Sequence, residues 1–381
     1  MAAMPAAIGT AHATTTAAAP ATTPAPAAGS PAQLAAFEQA RAKMAARDFA
    51  GVVTLLAPFI ASGEAVPPVR TLLASAYLEL DRAADAAAAL APIVDNPAAG
   101  APLLFQAARA AAALGDAMKA DALLRRAATK DPVSLAARTL GLQQAAAGDM
   151  AEACRLLQPY VGAHDDDDEA RLGAAFCSIE TGQTDAADAL LRPLPAELPR
   201  ARVLRARVAL LRGKPYDAIA LLEPLAAAPP ADAAYELRRN LAEAWLEVGK
   251  SQDAAKLLAG NVGDDVRLAL LLARAREQAG DPDGVIAAVA PFAAQVTAAQ
   301  APPNASPLVL GKLSLAWGRA LLDRQRWGEA VTALQAATRW QPDDAAAWQA
   351  LVQALRGAGR REEAEAALAK LRQAAAAAPR P

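Results

Sequence analysis

The sequence predicts an all-α fold, a solenoid of about ten stacked helix-turn-helix units, and three aligned columns of residues predict it. A landmark residue returns about every 34 positions, as Arg47, Asp81, Gly115, Gly148, Gly182, Gly213, Gly249, Gly280, Gln325 and Gly359. Five positions later stands a small residue: Val52, Ala86, Ala120, Ala153, Ala187, Ala218, Ala254, Val285, Ala330 and Ala364. Nine positions later stands a branched aliphatic: Leu56, Leu90, Leu124, Leu157, Leu191, Leu222, Leu258, Val289, Leu334 and Leu368. Chance does not align three columns over ten periods, and a fixed period in this range marks stacked helical repeats.

The bulk composition agrees. Ala and Leu dominate the 381 residues, aromatics are 4%, and Ala is the strongest intrinsic helix former. A length that would ordinarily split into two or three closed domains fits one elongated array of small units. The formal charge of -2 and the lack of a basic arm disfavour nucleic acid as a partner. The longest uncharged stretch after the leader, Gly284 to Gly311, holds Pro291, Pro302, Pro303 and Asn304, which makes a membrane span unfavourable. The excess of Arg over Lys, with abundant Ala, suggests a GC-rich bacterial genome.

Residues 1–32 are a tract of Ala, Thr and Pro without one charged side chain, too poor in large apolar groups to bury a core, and are expected to be disordered. Ala11-His12-Ala13 fits a small-x-small cleavage site before a Thr/Pro linker, as in the remnant of an export signal. A basic start and a longer apolar segment are missing, so export to the periplasm and a cytoplasmic location both stay open. The solenoid is expected over 33–373, and 374–381 as a short frayed tail.

Within each period, two amphipathic helices are expected. On the first, seven positions before the landmark, a small residue recurs: Ala40, Ala74, Ala108, Gly141, Ala175, Ala206, Ala242, Ala273 and Gly318. With the small column of the second helix it permits close backbone approach, and the Leu column supplies the knob that fills the gap. Gly115-Asp116, Gly148-Asp149 and Gly280-Asp281-Pro282 place a residue free to take positive φ between the two helices, followed by an N-cap. In six units a proline follows the Leu column by two positions, at Pro58, Pro92, Pro159, Pro193, Pro224 and Pro291, so those second helices should kink or end early. The one long spacing, 45 residues between the eighth and ninth landmarks, predicts an inserted loop over 297–306 that protrudes from the stack.

The ninth unit has Trp317-Gly318 and Leu321 in its first helix, Ala330, Leu334 and Ala337 in its second, and Pro342 at its close. The tenth has Trp348, Leu351, Leu355, Gly359, Ala364 and Leu368, and the third Ala120, Leu124, Ala127 and Pro132. These residues resemble the tetratricopeptide repeat, W-x2-L-G-x2-Y, then A-x3-F, then P. The resemblance covers about 33–373. It implies a right-handed superhelix whose concave face, lined by first helices, binds protein or peptide segments. The Lys/Asn set by which chaperone-binding members grip a C-terminal carboxylate is not reproduced.

Six and ten positions before the landmark, on the face away from the packed Leu, stand the candidate groove residues. Phe105, Arg109, Leu142, Leu172 and Phe176 make the face apolar over units three to five; Arg207, Arg239, Arg274 and Arg319 make it Arg-rich over units six to nine. These arginines either pair with Glu236 and Glu243 or remain available to a partner.

Few residues suggest chemistry. His12 lies in the leader, and His164 precedes an acid run, Asp165 to Glu169. Without the alternation and Gly of a calcium loop, the run is expected to be a solvated link supplying an N-cap and first-turn acids. Cys154 and Cys177 fall on neighbouring helices, which leaves two alternatives, small buried thiols or a disulfide that would indicate an oxidising compartment. Phosphate loops, metal-spaced clusters and nucleophile-base pairs are not evident, so neither an enzyme nor a cofactor is expected. The expectation is a non-catalytic scaffold holding a partner segment in its groove. The alternatives are an envelope component of polysaccharide export, secretion or outer-membrane assembly, and a peptide-sensing regulatory module.

Overall fold

The computed structural model describes residues 30–302 and 305–377. The expected disordered leader up to residue 29, the Ala11-His12-Ala13 site and the final residues 378–381 lie outside them. The helices group into two compact units, one ending at Leu194 and the other beginning at Pro195.

The unit ending at Leu194 holds five hairpins. They are α1 (Pro31–Ala45) with α2 (Phe49–Ala61), α3 (Pro67–Glu79) with α4 (Ala83–Val94), and α5 (Ala101–Ala113) with α6 (Ala117–Lys130). Then follow α7 (Leu135–Ala147) with α8 (Met150–Ala163), and α9 (Asp168–Glu180) with α10 (Thr184–Leu191). The unit beginning at Pro195 also holds five: α11 (Pro199–Leu211) with α12 (Pro215–Leu222), α13 (Ala234–Glu247) with α14 (Ser251–Leu258), and α15 (Val266–Gln278) with α16 (Pro282–Val289). After the extra helix α17 (Ala293–Thr297) come α18 (Pro307–Asp323) with α19 (Trp327–Trp340), and α20 (Ala345–Gly357) with α21 (Arg361–Ala377). No strand occurs among the described residues. The first helix starts two residues before the expected boundary because Ser30 caps it, accepting from Gln33 N–H, and α21 runs into the expected tail.

The landmark column is the turn inside each hairpin. All ten landmarks have positive φ, including the non-glycines Arg47 (59°), Asp81 (57°) and Gln325 (56°). In each turn the N–H after the landmark donates to the carbonyl five residues back, for example Asp116 N–H to Ala111 O at 2.9 Å and Gln183 N–H to Ser178 O at 2.7 Å. That bond closes a helix end only when the intervening residue is left-handed, which explains the glycines. The expected caps follow, with Asp116, Asp149 and Asp281 accepting from the N–H of Lys119, Glu152 and Gly284 at 3.0, 3.1 and 2.9 Å.

Packing follows the columns. The small column on the second helices is buried throughout, and nine of the ten aliphatic knobs are buried. Leu368 is half-buried, as no later hairpin among the described residues covers it. A Cβ added to Gly141 would stand 2.7 Å from Leu157 Cγ, and one on Gly318 would stand 2.5 Å from Leu334 Cδ2. The knob thus rests directly on the glycine backbone. Carbonyls at and beside the links are met by long side chains, some from the same hairpin and some from the next. Buried Arg70 donates to Ala65 O and Ala89 O at 3.0 and 2.9 Å, Arg126 to Val94 O, and Lys130 to Pro97 O.

At the prolines and at the insertion the structure adds detail to the expectation. Of the six second helices with a proline, only those before Pro193, Pro224 and Pro291 end early, the last two passing into 3-10 turns. The helices α2, α4 and α8 instead run through Pro58, Pro92 and Pro159, which are exposed. There the carbonyl that loses its partner faces water, so the helix tolerates the proline. The insertion does not simply protrude: α17 packs under α18 and α19, with Val296 and Ala305 buried. Trp340 Nε1 donates to Val296 O at 2.6 Å, and Arg339 donates to Thr297 O and Ala298 O at 3.2 and 3.0 Å.

Candidate functional site

Within each unit successive first helices touch one another, as α3 touches α5 and α11 touches α13, so the first helices form a continuous layer. In the unit ending at Leu194, Phe105 of α5, Leu142 of α7 and Phe176 of α9 are half-buried on this layer. Leu172, one turn earlier on α9 than Phe176, is not part of the open face as expected: it is 5% exposed. Leu142 lies against α9 at Gly173, where an added Cβ would be 2.7 Å from Leu142 Cδ2. Arg109 is held by Glu79 at 2.9 Å and by Gln106 at 3.2 Å.

In the unit beginning at Pro195, the four candidate arginines differ. Arg207 pairs with Glu243 at 2.8 Å, and its Nε is buried without a partner among the described residues. Arg239 lies 5.9 Å over the Tyr235 ring, whose other neighbour is Arg267 at 5.5 Å. Arg319 is 47% exposed and stands 3.8 Å from Glu277. Arg274 is exposed and makes no ion pair among the described residues. Of the two acids expected to neutralise this face, Glu243 does so for Arg207; Arg274 and Arg319, on α15 and α18, leave charge open to solvent.

The spacing, the left-handed landmarks and the knob-on-small packing coincide with a family pattern. A model of the tetratricopeptide repeat matches residues 144–210 and 321–380. Over those two stretches the chain carries tetratricopeptide repeats. No curated protein matches it. Among solved structures, a tetratricopeptide repeat protein from Parabacteroides merdae is 15% identical with a TM-score of 0.46, covering 67% of this chain and 98% of that one. The APC/C hetero-tetramer Cut9-Hcn1 is 14% identical with a TM-score of 0.40, covering 90% of this chain and 80% of that one.

The acid run after the fourth repeat serves the repeat itself. Asp167 caps α9, accepting from Ala170 N–H at 2.9 Å, and its carboxylate also takes Arg138 Nη2 at 3.2 Å and the Tyr160 hydroxyl at 3.1 Å. Arg138 reaches Glu169 as well, at 2.7 Å, and His164 stacks on Tyr160 with ring centroids 4.2 Å apart. Burial works to raise the Asp167 carboxyl, but the hydrogen bonds from Arg138 and Ala170 outweigh it and hold it below the ordinary aspartate range. Burial and the Asp167 charge push the Tyr160 phenol up to about 12. With these partners the Asp167 carboxylate is committed, and among the described residues no group of three or more His, Cys, Asp or Glu is arranged to hold a metal.

Of the two alternatives for the cysteines, the bonded one is present. Cys154 of α8 and Cys177 of α9 are joined, with Cα atoms 5.6 Å apart. The staple links the second helix of the fourth repeat to the first helix of the fifth. The carbonyl-capping side chains at the links escaped sequence reasoning, since Arg70, Arg126 and Arg339 occupy no common column.

Proposed function

We propose that the chain is a non-catalytic protein-interaction scaffold that holds a partner segment on its first-helix layer. The observation that carries this reading is Arg274, exposed and without an ion pair among the described residues, next to weakly paired Arg319 on the adjacent first helix. An arginine kept uncompensated beside others that are paired suits an acidic segment. Half-buried Phe105, Leu142 and Phe176 suit an apolar segment. Arg109 and Arg207 already have carboxylate partners, so they contribute positioning of the layer. No helix among the described residues is long and apolar enough to cross a membrane.

The test is charge reversal at Arg274 and Arg319 in the full chain, with partners identified beforehand by crosslinking. Capture should be lost while circular dichroism remains the same; capture at wild-type level would refute the reading. A second reading, an envelope component, is supported by the Cys154–Cys177 bond, since disulfides persist mainly in oxidising compartments. Thiol counting on protein trapped directly in cells tests it, and two free thiols would argue against it.

A further inference from the structure

Two first-helix columns carry a large side chain in most units, and only the third and fifth units have a small residue in both. Eight positions before the landmark the first helices carry Leu73, Leu140, Leu241, Leu272, Trp317 and Leu351, and four positions before it Tyr77, Trp245, Leu321 and Leu355. These side chains fill the space between successive second helices. In the third unit both positions are small, Ala107 and Ala111. The helix on the other side, α4, lines the gap with Ala87, Leu90, Ala91 and Val94, and a cleft of about 420 Å3 remains among α4, α5 and α6. The fifth unit has Ala174 and Ser178 at the same positions, but there the gap is occupied by neighbours, with Cys154 Sγ 3.8 Å and Gln158 Nε2 3.4 Å from Ser178 Oγ. Nothing comparable fills the third.

The rim has its own chemistry. Leu114, which lines the cleft, is 54% exposed, and Met118, between the lining residues Asp116 and Lys119 in sequence, is 87% exposed. Exposed large apolar side chains of this kind are a common feature of adaptable binding surfaces. Asp95, Asp116 and Lys119 stand at the edge, and none forms an ion pair among the described residues. Two carboxylates against one ammonium leave the rim net negative. On α5, Ala107 lies two positions from both Phe105 and Arg109, and Ala111 two positions from Arg109, about 200° around a helix of 3.6 residues per turn. The cleft therefore opens away from the first-helix layer.

We propose that this cleft is a second docking site, and that it takes a segment of a partner protein presenting one large apolar side chain flanked by a basic residue. The volume suits such an anchor, and the Asp95 and Asp116 carboxylates receive the flanking cation. The site is independent of Arg274 and Arg319, so either surface can fail without the other.

The test measures fluorescence anisotropy of the full chain with short end-capped fluorescein peptides, each with one central leucine, methionine, phenylalanine or tryptophan, flanked by arginine or by glutamate. Saturable binding of the arginine-flanked set is expected. Ala107→Leu restores the residue other units carry and fills the cleft, so it should weaken that binding about tenfold or more while the thermal midpoint holds or rises. Asp95→Lys, at an exposed site, should remove the preference for arginine over glutamate flanks. The proposal is overturned by any of three results: affinity unchanged in Ala107→Leu, equal binding of both peptide sets, or no saturable binding. Self-association that Ala107→Leu abolishes, read by sedimentation, would also overturn it in favour of a second copy of this chain.

Discussion

Gly141 offers a test of the packing rule in which the sign of a mutation should reverse. Gly141 sits inside α7 and faces Leu157 of α8, which is fully buried. A methyl at Gly141 would lie 2.7 Å from Leu157 Cγ, 2.9 Å from Cδ2 and 3.2 Å from Leu156 Cβ, against an optimum of roughly 3.5 to 4.0 Å. Overpacking of this kind costs about 1 to 3 kcal/mol, while Gly to Ala inside a helix returns about 1 kcal/mol. Gly141→Ala alone should therefore destabilise by about 1 kcal/mol. Leu157→Ala alone should cost about 2 to 5 kcal/mol. In that background the obstructing Cγ and Cδ atoms are gone, only the 3.2 Å contact with Leu156 Cβ opposes the helix term, and Gly141→Ala should stabilise by up to about 1 kcal/mol. The cycle is read from urea midpoints of the four proteins. Additive effects, with Gly141→Ala destabilising equally in both backgrounds, would refute the claim that Leu157 rests on the glycine.

Three further outcomes are expected. Gly213, at φ 67° with nothing within 4 Å of an added Cβ, isolates the turn: Gly213→Ala should cost about 1 kcal/mol through the left-handed backbone alone, and Gln325→Gly should shift the thermal midpoint upwards. Asp167 and Asp265 are both held below the ordinary aspartate range, so the stability they contribute is present above pH of about 4 and is lost as pH falls through their lowered values; Asp167→Asn should flatten acid denaturation in that window. Reduction of Cys154–Cys177, which closes a loop with a sequence separation of 23, should cost about 3 kcal/mol on a chain-entropy basis, and an unchanged urea midpoint with excess reductant would contradict that.

Much of the architecture was legible because the repeat constrains each column separately. Positive φ at the landmarks was foreseeable from seven glycines. That Arg47, Asp81 and Gln325 adopt it too followed only from their place in the column, since a side chain makes the left-handed backbone costly at all three. The candidate face was less legible. Periodicity gives the direction in which a residue points, but not whether a neighbouring helix covers it or which carboxylate reaches it. Leu172 and Leu142 share that face, yet Leu172 is buried and Leu142 stays half-open. Arg207 and Arg274 occupy the same column, yet Arg207 is paired with Glu243 and Arg274 is exposed.

The sequence alone determined the all-α hairpin array, its turns, its caps and the knobs between helices, since each depends on contacts at fixed short separations. Only the tertiary structure decided which of the alternatives at Cys154 and Cys177 is realised, how the insertion folds under Arg339 and Trp340, and that Ala107 and Ala111 leave a cleft rather than a collapsed core. Those outcomes depend on distances between side chains far apart in sequence, and no column of a repeat encodes them.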